Sequence, residues 1–453
     1  MKKVIYALIF LLAASGFSYI PAFALTSAPE IIAESAVLID ATTGKILYEK
    51  DKDVLKEPAS TTKMMTCILT LESFPVNKVL TIDAESPFTG GSRIYIIEGE
   101  ELTAGELLYA LMLESANDTA VALAKAISGS VEEFAALMNK RARELGAKNP
   151  SYKNPHGLHQ EGHLASAYDL AMVAFYAMKN PEFRELVSTY KYTIDPTNKQ
   201  TEPRHLYNTN RLLYDEATKV PVKGVMTPAK YEGATGIKTG FTPQAGGTLA
   251  ASAKHGETEL IAIVLASTDA GRFGDCIALL DFGFENYYTY KAVDKSEAVQ
   301  DVRVKMGSVK YAGAKISDDL YITLPREASL SLVSTKIVID EDITAPISEG
   351  QKLGTVEVYE GGSLIGEVPV VAAEGLPEGM FLSRFGVEDS VTLVIIKYAK
   401  IASGIIAVLL LLYAFLKIRR GIRRRARRRQ RAIEIAIERD KKQKLIFQRK
   451  WPY

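Results

Sequence analysis

Ser60-Thr61-Thr62-Lys63 places a hydroxyl and an amine three residues apart. On a helix such a pair shares one face, with Cβ atoms about 5–6 Å apart, so the amine can take the hydroxyl proton and leave a nucleophile. An amine serves as that base only when neutral, which requires burial or a neighbouring cation. The run Met64-Met65-Thr66-Cys67-Ile68-Leu69 is apolar on nearly every side, as expected of a buried helix, so Lys63 is drawn toward a dry site. Pro58 favours a break just upstream and leaves Ser60 near a helix N-terminus, where unpaired N–H groups favour negative charge. By itself the spacing also fits an ordinary helix start capped by a serine. It recurs at Ser188 and Lys191, where Tyr190, Tyr192 and Ile194 alternate as in a strand and would send the two side chains to opposite faces.

Two more short motifs can bring partners to that pair. Ser115-Ala116-Asn117 follows an amphipathic helix opened by the capping-box pattern Thr103-Ala104-Gly105-Glu106. Asn117 and Asp118 are themselves expected caps for the next apolar stretch, Thr119 to Ile127, which puts the triplet on a tight inter-helix turn. Lys238-Thr239-Gly240 lies among small residues, Gly233 to Thr242, suiting a strand that a ligand's backbone approaches closely. Downstream, Gly247–Ser252 and Leu260–Leu265 flank Lys254-His255-Gly256-Glu257 and read as a hairpin of buried strands. Taken alone, Lys238 also fits an exposed edge-strand lysine that discourages aggregation.

Ser-x-x-Lys, Ser-x-Asn and Lys-Thr-Gly, in this order and at these separations, resemble the penicillin-recognising serine hydrolases, and within them the D-alanyl-D-alanine carboxypeptidases of low molecular mass. The resemblance extends to the hairpin Asp40–Tyr48, the block Pro58–Met64 and the loop Asn154-Pro155-His156-Gly157-Leu158, and runs from about Ala28 to Leu382. It implies an α/β (α+β) transpeptidase-like catalytic domain with an antiparallel sheet and flanking helices. It also implies an enzyme that trims the terminal D-alanine from peptidoglycan stem pentapeptides and is acylated by β-lactam antibiotics. By the same resemblance Ser60 is the nucleophile, Lys63 its base, Ser115 a proton relay and Asn117 a hold on the substrate amide. Lys238 keeps Lys63 neutral, Thr239 in the Lys-Thr-Gly240 strand meets the terminal carboxylate, and the N–H groups of Ser60 and Phe241 form the oxyanion hole. Arg272 matches a position that attracts the carboxylate, although an arginine opening a helix through Cys276 to Phe284 is equally consistent with a solvated side chain. Phe241 stands where some relatives carry histidine. A β-lactamase, an endopeptidase or transpeptidase, or a catalytically silent penicillin-binding scaffold would share the same motifs.

No metal or other cofactor is expected. His156, His159 and His163 gather around Glu161, but the spacings do not match the helical zinc patterns, and Gly157 and Gly162 oppose the helix those patterns need. These histidines read as satisfied loop residues.

The ends of the chain bear on where the chemistry occurs. Residues 1–24, with Lys2-Lys3, the apolar run Val4–Leu12 and Ala22-Phe23-Ala24, read as a cleavable secretory signal. Residues 391–416 are long and apolar enough to span a bilayer if Lys397 and Lys400 snorkel outward. Residues 417–453 carry 16 basic against 3 acidic side chains, a stop that the positive-inside rule places in the cytosol. An arginine run can also bind nucleic acid, but its position directly against a membrane span makes that the lesser reading, and the sequence does not name what the basic tail binds; membrane lipid is the expected partner of the C-terminal helix, a full span where relatives often end in an amphipathic helix on the membrane surface. The overall charge of +1 therefore hides a strongly acidic exported portion.

At 453 residues the chain exceeds one comfortable core. The expected division is a catalytic domain over 25–295, closed by a helix reaching about Tyr290, and an antiparallel β domain over 296–385. Alternation in Lys336–Asp340 and Thr355–Tyr359, with a turn at Glu360-Gly361-Gly362, supports the latter. Cys67 and Cys276 sit in apolar helical contexts and are expected to be buried free thiols.

Overall fold

The computed structural model of the chain describes residues 27–450; the secretory-signal reading of 1–24 lies outside them. A five-stranded sheet in the order β2-β1-β5-β4-β3 organises the catalytic portion. Its strands are β1 (Ser35–Asp40), β2 (Ile46–Lys50), β3 (Ala234–Thr242), β4 (Gly246–His255) and β5 (Thr258–Ser267), and every pairing is antiparallel. Successive side chains of a strand point to opposite faces. Val37, Ile39, Ile261, Ile263 and Leu265 accordingly enter one core, while Ala36, Leu38, Leu260, Ala262 and Val264 enter another. Burial on both faces explains why the hairpin strands read as continuous apolar runs rather than alternating ones.

Eight helices are labelled among the described residues: α1 (Lys63–Ser73), α2 (Ala104–Met112), α3 (Asn117–Ser128), α4 (Val131–Glu144), α5 (Ala167–Ala177), α6 (Pro181–Ser188), α7 (Gly271–Asn286) and α8 (Asp389–Lys450). Residues of α1 to α6 pack into the core on one face of the sheet, and α7 fills the other. The helix α1 is buried from Lys63 to Thr70, in keeping with its largely apolar sequence. Thr103 caps α2 in the anticipated capping box with Glu106. The expected capping of α3 by Asn117 or Asp118 does not occur: its N-cap is Ala116, without a side-chain bond. Both side chains are thereby released for other partners. The closing helix ends at Asn286, not near Tyr290, because the β-favouring run Tyr287-Tyr288-Thr289-Tyr290 forms a strand paired with Leu320–Pro325.

Contacts divide the chain into two compact units. The first runs to Asp294 and includes Asp319–Thr335 and Val358–Gly366; the second holds Lys295–Asp318, Lys336–Glu357 and the chain from Glu367 onward. Between Asp294 and α8 the structure is mainly β, with a four-stranded sheet formed by Ala314–Ile316, Ser363–Ala372, Lys352–Glu360 and Val333–Ile339 in that order. Gly361 and Gly362, both at positive φ, make its tight turn. The second unit has its own small core of Val302, Val304, Ile347, Leu353 and Leu376. Cys67 and Cys276 are buried free thiols.

Candidate active site

A short 3-10 turn, Ala59–Thr62, carries Ser60 into the N-terminus of α1. Ala59 adopts φ +47°, a left-handed backbone that alanine rarely takes, and it is fully buried. Its carbonyl is crowded by the loop Asn154–Leu158: a Cβ on Gly157 would fall 1.8 Å from Ala59 O. Only glycine fits there, which explains the glycine of that loop. Side chains of α1 and of the turn before it also hold this loop and the chain that follows it. Thr66 Oγ1 donates to Pro155 O at 2.6 Å, Lys63 Nζ meets His156 O at 2.7 Å, and Thr62 Oγ1 meets His163 Nε2 at 2.9 Å.

Lys63 is the hub. Its Nζ lies 3.0 Å from Ser60 Oγ, 2.7 Å from Asn117 Oδ1 and 2.7 Å from His156 O. Two of these partners are carbonyl oxygens, which only accept. A neutral amine has two N–H donors and one lone pair, so donation to Asn117 and His156 leaves the lone pair facing the Ser60 hydroxyl. Burial holds the amine well below the ordinary lysine range, and the nearby Lys238 cation lowers it further, against an opposing pull from Asp118.

Asn117 does not reach into open cleft in this arrangement. Its Nδ2 donates to Gly90 O at 2.7 Å while its Oδ1 holds Lys63, so both ends of the amide are engaged. Asp118 accepts the N–H groups of Ile94, Ile96 and Thr119, pinning the segment just after Gly90. Ser115 sits on the turn between α2 and α3 at φ +58°, nearly buried at 8 % exposure. Strained non-glycine backbone of this kind concentrates at functional sites.

Lys238 is 1 % exposed, so it is no surface lysine guarding an edge. Burial, then the charge of Arg272, brings its ammonium down to about 7. Thr239 Oγ1 contacts Thr209 Oγ1 at 2.7 Å. Gly240 passes directly against the serine turn: a Cβ there would fall 2.8 Å from Ser60 N and 2.3 Å from Thr248 Oγ1. Phe241, the next residue, is half exposed on the same strand. Arg272, at the start of α7, is 9 % exposed, which removes the solvated alternative. Its guanidinium donates to Gly240 O at 2.6 Å and pairs with Asp269 at 2.7 Å, so it supports the Lys-Thr-Gly strand from behind.

The histidine cluster resolves into structural bonds. His163 Nδ1 accepts from Lys153 N at 3.1 Å, which leaves Nε2–H to donate to Thr62. Burial, and then the Lys153 charge, lowers His163 to about 4; burial, and then Lys63, lowers His156 to about 3. Exposed His159 pairs with Glu57. Among the described residues no group of three or more His, Cys, Asp or Glu is arranged to hold a metal. The second Ser-x-x-Lys has no chemistry either: Ser188 ends α6 and bonds back to Arg184 O, while Lys191 begins a strand running only to Ile194.

Four contributors escaped the sequence. The carbonyls of His156 and Gly90 carry no side-chain signature, and Thr248 Oγ1, which braces Pro58 O at 3.1 Å, lies in an apolar strand. Thr209 carries only a weak signal, the asparagines on either side of it in Asn208-Thr209-Asn210, well upstream of Lys238-Thr239-Gly240.

Comparison with known proteins gives a consistent picture. The family model of D-alanyl-D-alanine carboxypeptidase matches residues 23–269, and that of the penicillin-binding protein 5 C-terminal domain matches residues 287–378. The chain is 38% identical to the D-alanyl-D-alanine carboxypeptidase DacF of Bacillus subtilis, covering 78% of this chain and 87% of DacF. It is 30% identical to DacA of Escherichia coli, covering 79% and 86%. The solved structure of penicillin binding protein 5 from Haemophilus influenzae superposes with a TM-score of 0.62 at 28% identity, covering 78% of this chain and all of that one.

Proposed function

Because the chain belongs to the D-alanyl-D-alanine carboxypeptidase family, we propose that Ser60 is the nucleophile with which it removes the terminal D-alanine from peptidoglycan stem peptides. The observation that carries this assignment is the three-way setting of Lys63 Nζ between Asn117 Oδ1, His156 O and Ser60 Oγ. Lys63 takes the Ser60 proton as Oγ attacks the carbonyl of the penultimate D-alanine. Charge builds on the carbonyl oxygen, which the N–H groups of Ser60 and Phe241 receive; the close approach of Gly240 to Ser60 N supports that pairing. Collapse of the tetrahedral species breaks the peptide bond, and Ser115 passes the proton to the departing D-alanine amine. Water, deprotonated in the same site, then hydrolyses the ester and restores Ser60.

The terminal carboxylate falls to Lys238 and Thr239, with Arg272 acting through Gly240. Asn117 positions the base in the free enzyme; swinging its amide toward the substrate would free the lysine for proton transfer. A penicillin carbonyl enters the same path, and its ring keeps the leaving nitrogen tethered, so the acyl-enzyme persists. The soluble ectodomain incubated with a stem pentapeptide and with labelled penicillin tests the assignment: D-alanine is released and the label maps to Ser60. Label on another residue, or no D-alanine released, refutes it.

The helix α8 is a single-pass anchor by this reading, with the catalytic unit outside and the basic tail inside. Its support is one apolar stretch of mean hydropathy 2.4 with none of it buried, followed at once by a dense run of arginine. Protease added outside intact cells should degrade the catalytic unit; protection of that unit would overturn the orientation.

A further inference from the structure

The turn that carries Ser115 between α2 and α3 is held from two sides. On one side Leu113 N bonds to Tyr109 O and Ala116 N to Ala110 O, both in α2, while Asn117 N reaches Ser92 O at 2.7 Å. The other side belongs to the segment Tyr207–Thr209, at the end of the hairpin of Lys191–Ile194 with Arg204–Tyr207. Thr209 N donates to Leu113 O at 3.2 Å, and Tyr207 N donates to Glu114 Oε1 at 2.6 Å. Among the described residues, only the Glu114 bond uses a side chain of the turn.

That bond answers a need on each side. Asn208 N bonds to Tyr190 O at 2.8 Å, and because bonded and non-bonded pairs alternate along an antiparallel ladder, the Tyr207 N–H faces away from Lys191. The Glu114 carboxylate is the acceptor it finds. Ser115 in turn depends on its scaffold. Among the described residues its hydroxyl has no hydrogen-bond partner, so its aim follows a backbone that stands at φ +58°. A non-glycine residue stays in that region only while its surroundings enforce it.

We propose that Glu114 is a positioning residue for peptide cleavage: by clipping the Ser115 turn to the Tyr207 N–H, it keeps the Ser115 hydroxyl aimed at the leaving nitrogen. This rests on the reading of Ser115 as the proton relay. Its consequence is specific to the leaving group. As the bond from Ser60 Oγ to the carbonyl carbon forms and the C–N bond breaks, an amine departs only with a proton delivered to nitrogen, whereas a thiolate departs without one. A loosened relay therefore slows a peptide and spares a thioester.

The test compares two substrates with the same acyl group, diacetyl-L-lysyl-D-alanyl, one releasing D-alanine and the other thioglycolate, each ending in a carboxylate. The readout is the ratio of kcat/KM for the peptide to that for the thioester, measured on the full chain in detergent by release of D-alanine and of thiol. Glu114 also supports the charge of Lys238, but any loss there acts on both substrates and cancels in the ratio. Glu114→Ala should lower the ratio by about 10- to 100-fold, the scale of a misplaced general acid. Glu114→Gln, whose amide oxygen still accepts the Tyr207 N–H, should restore it to within about threefold of wild type. Glu114→Met, which fills the space without a comparable acceptor, should match alanine and replaces it if the alanine variant does not fold. On a Ser115→Ala background, Glu114→Ala should change the ratio no further. A ratio that Ser115→Ala lowers but Glu114→Ala does not, an equal loss on both substrates, or a failure of glutamine to rescue overturns the proposal. If Ser115→Ala itself leaves the ratio unmoved, the relay reading falls and takes the proposal with it.

Discussion

Gly240→Ala tests the geometry of the serine turn against its strand. The added methyl would stand 2.3 Å from Thr248 Oγ1, 2.8 Å from Ser60 N and 3.2 Å from Ala59 Cβ, all below comfortable contact. None of the three yields easily. Thr248 Oγ1 is committed to Pro58 O, Ala59 is fixed at φ +47° with Gly157 against its carbonyl, and Ser60 N belongs to the turn itself. The strand must therefore withdraw by several tenths of an ångström, carrying Phe241 N–H with it. Oxyanion donors act at about 2.7–3.1 Å, and losing one costs about 10²–10³ in rate, or roughly 3–4 kcal/mol. Overpacking adds about 1–3 kcal/mol of destabilisation, which leaves the domain folded. The assay is the second-order rate of acylation by fluorescent penicillin beside D-alanine release, with circular dichroism to confirm folding. Gly313→Ala, whose methyl would meet only Ala373 at 3.6 Å, is the control and should change neither rate. A folded Gly240→Ala protein acylating within about threefold of wild type would refute the oxyanion assignment.

Two further expectations concern titration. Lys238→Met removes the cation that helps to keep Lys63 neutral, so the Lys63 pKa rises and the acid limb of the acylation pH profile moves to higher pH; an unmoved limb would mean that burial alone suffices. In the wild type, Lys238 itself loses its proton near pH 7, and kcat/KM for carboxylate-ended substrates should fall above that point. His163 is held neutral down to about 4, whereas the unfolded imidazole takes its proton near 6.5. The unfolded state thus binds more protons between those values, and stability declines as pH falls through them, by on the order of 3 kcal/mol from this group. Urea titrations at pH 7 and pH 4 measure the difference, which His163→Gln should reduce; an unchanged difference removes His163 as its source.

The three motifs were legible because their side-chain types, order and separation are properties of the chain itself. The capping box at Thr103, the buried helix after Lys63, the β5 hairpin and the Gly361-Gly362 turn were legible for a similar reason, since capping and periodicity act within a few residues. The end of α7 was misplaced because Tyr287–Tyr290 are drawn into a strand by a partner more than thirty residues away. Asn117 was read as a helix cap because its neighbours offer nothing else for it to bind.

The sequence by itself determined which groups could react: two serines, two lysines, and the small residues that let a substrate approach them. Tertiary structure decided what state those groups are in. A lysine near a serine is an ordinary ammonium until packing removes its water, Lys238 is brought close, and two carbonyl oxygens, from His156 and Asn117, claim its N–H donors. Burial and those two acceptors exist only once distant segments meet, so spacing can nominate Lys63, but only the fold supplies the dry, partnered setting that the proposed base needs.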